Sequence, residues 1–194
     1  MPIPLGVLAV AGAGAGPVAA GNAYELLETT VLGSDTADVT FSNLNSSYGS
    51  TYQHLQLRMV HRNTANDTAV FIGLQFNADT GNNYSRHYLN GTGSSVTVGA
   101  AANQSYIWLG ESVSSQIVAN SFAATITDIL DPFETSKNTT IRSSSGQTGS
   151  RNQVWLTSGA WLNTAAITSI KIYLPQGGSY ISGSRFSLYG MRSS

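Results

Sequence analysis

The chain has 194 residues, of which 41% are hydrophobic and only 10% charged; its formal net charge is -1 and it contains no cysteine. A soluble domain carries roughly 25% charged residues, so solubility here rests on neutral Ser, Thr, Asn and Gly. The composition excludes disulfides and thiolate metal sites, and it lacks the clustered Lys and Arg that nucleic-acid phosphates require.

Residues 3–20 are apolar and rich in Gly and Ala. A signal peptide needs a positive leading region, yet the first basic residue is Arg58. A membrane span needs a continuous helix, which Pro2, Pro4, Gly6, Gly12, Gly14, Gly16 and Pro17 oppose. The segment is expected to be an extended arm over residues 1–21, anchored on a neighbouring subunit through Ile3, Pro4, Leu5, Val7, Leu8 and Val10. A free apolar tail is the alternative.

From residue 22 to 194 short apolar runs alternate with Gly, Asn, Ser and Asp, the pattern of strands and turns. Strands are predicted at 24–32, 37–41, 52–62, 69–76, 84–89, 105–109, 122–130, 138–142, 153–161, 167–174 and 185–190. Leu55, Leu57 and Met59 share a phase, as do Val70, Ile72, Leu74 and Phe76, and Ile170, Ile172 and Leu174. No helical period extends over three turns. The fold class predicted is all-β, an antiparallel β-sandwich of jelly-roll type with an extended N-terminal arm. Segments 112–120 and 143–152 are predicted as long polar loops.

Chemistry-bearing motifs are sparse. His54, His61 and His87 form no HxH or HExxH spacing, and His61, in phase with Leu55, is expected at the core or its margin. There is no G-x-S-x-G elbow, and the ten carboxylates scatter into turns and strand ends. A glycan-cleaving enzyme would need two of them across a cleft, so a non-enzymatic role without cofactor or metal is expected. Segment 77–83 places side-chain oxygens around Gly81 as a calcium loop does, but it lacks the first Asp and the closing Glu, and a hairpin turn is the simpler reading. Phe41, Phe71 or Phe76, Trp108, Phe122 and Tyr173 are expected in the core. Trp155 and Trp161, with Arg151 in the adjacent polar segment, and the Tyr48/Tyr52 and Tyr84/Tyr88 pairs offer a glycan-stacking or subunit surface as an alternative to burial.

The segments Tyr24-Glu25-Leu26-Leu27, Val39-Thr40-Phe41, Tyr52-Gln53-His54-Leu55-Gln56-Leu57-Arg58, 76–85 (FNADTGNNYS) and Ser184-Arg185-Phe186-Ser187-Leu188-Tyr189-Gly190 carry a resemblance that spans most of the chain. Together with the opening Pro2-Ile3-Pro4-Leu5-Gly6, this set resembles small structural proteins of tailed bacteriophages, as in cyanophages and other aquatic phages. The resemblance implies a virion component repeated around a symmetry axis, with a trimer expected and other capsid or tail proteins as partners. It would serve as a capsid decoration protein or as a compact tail or head fibre, since no heptad, Gly-X-Y or β-helical repeat provides a long shaft. The alternative function is a carbohydrate-binding module that recognises a host surface glycan through loop aromatics.

Overall fold

Side chains alternate across a strand, and residues 54–63 put Leu55, Leu57, Met59 and His61 on one face while Arg58 and Val60 take the other. The same alternation repeats along the chain, and its apolar faces close on one another. The structure, a computed structural model, describes residues 23–66, 69–116, 119–149 and 151–192. The expected arm, with Ile3, Pro4, Leu5, Val7, Leu8 and Val10, lies outside the described residues.

The fold is all-β. Its strands are β1 (Tyr24–Val31), β2 (Asp38–Phe41), β3 (His54–Asn63), β4 (Ala69–Phe76), β5 (Tyr84–Gly91), β6 (Val96–Gln104), β7 (Ile107–Ser114), β8 (Ala123–Leu130), β9 (Thr139–Gln147), β10 (Gln153–Trp161), β11 (Ile170–Tyr173) and β12 (Arg185–Met191), with a short helix α1 (Leu44–Tyr48) after β2. No helix among the described residues is long and apolar enough to cross a membrane.

Eight strands pair antiparallel in the order β1-β12-β3-β8-β9-β10-β5-β6, and four in the order β2-β11-β4-β7. The two runs join where β3 ends, because this ten-residue strand pairs β12 and β8 over most of its length and then meets β7 in parallel at Arg62↔Val113 and Asn63↔Ser114. That short parallel pairing departs from a purely antiparallel expectation. β7 then lies across β9 and β10: a Cβ on Gly110 would meet Ser145 at 2.4 Å, and the Ser143 hydroxyl donates to the Leu109 carbonyl at 3.0 Å.

Between the runs lie Leu55, Leu57, Ile72, Leu74, Phe76, Ile107, Ile170, Ile172, Phe186 and Leu188, all fully buried. Each such side chain withdrawn from water contributes about 1.5–3 kcal/mol, and the predicted phases of β3, β4 and β11 are the ones observed.

Two segments predicted as loops are partly strand. Residues 143–147 extend β9, and 112–114 extend β7. Their polarity misleads because it points inward and is satisfied there: Thr127 and Ser143 are hydrogen-bonded at 2.9 Å, and the Thr125 hydroxyl donates to Ser145 at 2.9 Å. β6 has no counterpart among the predicted strands; its VTVGAAANQ sequence is poor in strand formers after Val98, and pairing with β5 supplies the order. Of the aromatics expected in the core, Phe41 and Phe76 are fully buried, whereas Phe71, Trp108, Phe122 and Tyr173 keep part of their surface in solvent.

Candidate functional site

The outer face of the eight-stranded run follows from register alone. Arg185, Val60, Ala124, Gly146, Val154, Gly91 and Val96 line up across successive strands. The next row on this face is Ser187, Arg58, Ile126, Ser144, Leu156, Leu89 and Val98. Val98 is 70% exposed, Val154 57%, Leu156 50%, Val60 49% and Ile126 47%. β10 is therefore apolar on both faces, with Trp155 and Trp161 inward and Val154 and Leu156 outward. Exposed apolar side chains gathered on one face in this way mark an interaction surface in soluble proteins generally. The bordering row is polar and internally matched: Arg142 pairs with Asp128 at 3.2 Å, and Gln56 Nε2 donates to Asp128 Oδ1 at 2.6 Å and to the Tyr24 hydroxyl at 2.9 Å.

A second constellation lies on the inner face of β5. Arg86 is 5% exposed, yet its guanidinium makes no hydrogen bond or ion pair among the described residues, and Nε and Nη1 are both buried. Its carbon sits 3.6 Å from the centroid of the Trp108 ring and 5.9 Å from that of Tyr106. Trp108 stacks on Phe71 at 3.9 Å, and Tyr88 lies 5.7 Å from Trp108 and 5.3 Å from Trp155. Trp108 Nε1 and Asn90 Nδ2 are likewise buried without partners. Desolvation lowers the Arg86 pKa, although a guanidinium remains charged at neutral pH.

The site residues expected from sequence do not converge. Trp155 and Trp161 share the inward phase of β10 and are 6% and 1% exposed, so neither presents a ring face for a sugar. They stand six residues apart, about 20 Å along a strand. Trp155 Nε1 donates to Gln153 at 3.0 Å and Trp161 Nε1 to Asp79 at 2.7 Å. Arg151 is exposed at the surface and pairs with the buried Glu111 at 3.4 Å. Core burial corrects the glycan-stacking reading of the two tryptophans. Sequence alone does not join Trp108 of β7 to Arg86 and Tyr88 of β5; Arg86, in phase with Tyr84 and Tyr88, was the available signal.

Segment 77–83 is a structural turn. The Asp79 carboxylate accepts from Gly81 N–H at 2.8 Å, from Asn83 Nδ2 at 2.9 Å and from Trp161, whose bond is the main cause of its lowered pKa. Asn77 Oδ1 accepts from the backbone of Thr168 and Ser169, tying the turn to the approach to β11. Among the described residues, no group of three or more His, Asp or Glu is placed to hold a metal ion.

His61 is fully buried, and burial drives its pKa down to about 3. Because Thr125 donates to Ser145, His61 Nε2–H donates to Thr125 at 3.0 Å, and Nδ1 accepts from Ser112 at 3.0 Å. The neutral ring thus serves packing. A polar cleft of about 530 Å³ lies between residues 49–53 and 131–137, but its central Asp131 already accepts from Gln53 and Lys137. The sequence matches no family model, and no curated protein matches it.

Proposed function

We propose that the protein is a non-enzymatic structural component of a bacteriophage virion, displayed on the particle as a capsid decoration protein or a compact tail or head fibre. It assembles with copies of itself around a symmetry axis, with three copies expected. The observation that carries this reading is the apolar outer face of Val60, Ile126, Val154, Leu156, Leu89 and Val98. Low overall charge supports it, because self-repulsion between closely packed copies is then weak. So does the internal matching of Arg142 with Asp128 at the border of the face, which lets two copies meet there without burying an unpaired ion. The strand motifs resembling phage structural proteins supply the setting.

Sedimentation velocity tests the assembly. The wild type is expected to sediment as a closed oligomer, and Val154→Asp with Leu156→Asp as a protomer that keeps its far-UV circular dichroism. A wild type that stays monomeric at micromolar concentration defeats self-assembly. Imaging particles that carry a tag after residue 194 separates the two positions, since label over the shell means decoration and label on projections means a fibre. Particles without label defeat the virion reading.

A further inference from the structure

We infer that β6 is a docking edge to which residues 5–10 of a neighbouring copy add as one further strand, an inference that rests on the proposed self-assembly. Three strands have a side without a neighbour among the described residues: β1, β2 and β6. Such an edge presents unpaired N–H and C=O groups to any passing chain, and folded proteins guard it with brevity, charge, proline or a bulge. β2 is four residues long and carries Asp38, paired with Lys171 at 3.5 Å. β1 carries Glu25 and Glu28, with a bulge between Leu26 and Glu28. β6 has nine residues, VTVGAAANQ, without a charge or a proline. Its irregularity lies at the Gln104 end, which leaves 96–101 in unbroken register with β5.

The chain itself contains the complement. Residues 1–22 precede the described body, and between Pro4 and Pro17 they run LGVLAVAGAGAG, again without a charge or a proline. In an added strand Leu5 and Val7 fall on one face and Leu8 and Val10 on the other. β6 receives apolar side chains on both: outward it offers the exposed Val96 and Val98, continuous with Leu89 and Leu156, and inward the small Thr97, Gly99 and Ala101. Backbone pairing supplies the affinity and these two faces the fit. The donor is a neighbour because the described body begins at β1, at the far end of the eight-stranded run from β6. Seven spacings between eight strands put the two edges up to about 34 Å apart. Reaching its own β6 would stretch residues 11–22 nearly straight across the sheet, since a chain of that length spans at most about 43 Å. A ring that sets the β1 end of one copy beside the β6 end of the next removes that crossing. The contact therefore fastens copies to one another and leaves the packing of each body unchanged.

Disulfide trapping tests this, since the chain has no cysteine of its own and Val98 is exposed enough to be replaced without loss of fold. Tagged chains with a cysteine at one position from 5 to 10 are co-expressed with untagged Val98→Cys chains and oxidised with copper phenanthroline. The mixed dimer is expected at alternate positions, several-fold more for one of the sets Leu5, Val7, Ala9 or Gly6, Leu8, Val10, because only one face of a strand comes within disulfide range of Val98. Equal yields at all six positions, as a free tail would give, overturn the inference. So do yields no higher than with Ser46→Cys, on the exposed surface of α1, in place of Val98→Cys, or a predominance of untagged dimers joined through Val98 alone. Sedimentation velocity of the unoxidised sample separates the two readings. An oligomer without the alternating pattern removes the strand addition and leaves self-assembly standing, whereas a monomer defeats both.

Discussion

His61 shows how one residue's environment sets a measurable property of the protein. Its ring is held neutral between Ser112 and Thr125, with a pKa of about 3 against 6.5 in the unfolded chain. Below pH 6.5 the unfolded state takes up a proton that the native state refuses, so stability falls as pH falls, by up to about 1.4 kcal/mol per pH unit from this group. The Asp79 and Asp131 carboxylates, whose pKa values are lowered in the fold, act in the same direction but only nearer and below pH 4. Denaturant unfolding from pH 7 to 5 should show the decline in the wild type and a flatter profile in His61→Gln; parallel profiles would mean that His61 is not the sensor. Phase with Leu55 made the burial of His61 legible in the sequence. The hydroxyls that receive it come from β7 and β8, and nothing local announces them.

At the scale of elements, β9 and β7 mark the point at which local reading stops. Residues 139–142 of β9 read as a strand, but the SSSGQ that continues it over 143–147 reads as a loop because serine is a common turn residue. That half is strand because Thr127, Thr125 and the Leu109 carbonyl satisfy the inward hydroxyls of Ser143 and Ser145. The same close approach fixes Gly110, whose φ is +131° and whose absent side chain leaves space for Ser145. Gly110→Ala combines backbone strain with a clash, and is expected to destabilise by about 2–4 kcal/mol. Urea unfolding would check this, and a cost under about 0.5 kcal/mol would mean that β7 does not press on β9. Where the pattern was strong, as in β3, β4 and β10, local reading sufficed: Leu57→Ala should cost about 2–5 kcal/mol by the same measurement, since the side chain is fully buried.

For the molecule as a whole, the apolar outer face and the arm lead to different predictions. Disrupting the face should dissociate copies, as set out above. Deleting residues 1–21 should leave a body with an unchanged unfolding midpoint but abolish incorporation into particles, read by probing purified particles for the protein. Normal incorporation would remove the arm from the proposal. The face was only half legible: Val154 and Leu156 alternate visibly with Trp155 and Thr157, but their alignment with Leu89, Val98, Ile126 and Val60 depends on pairings among strands far apart in sequence.

By itself, then, the sequence determined the all-β class, the inward phases of the strongest strands and the absence of thiol chemistry, because composition and period-two alternation are local properties. Which of those faces meet was decided only by tertiary structure. Strand order brought Arg86 to Trp108, buried the two tryptophans of β10 and carried the exposed valines and leucines into one strip. Each of these depends on register between strands, and register is set by long-range pairing that no short window of residues contains.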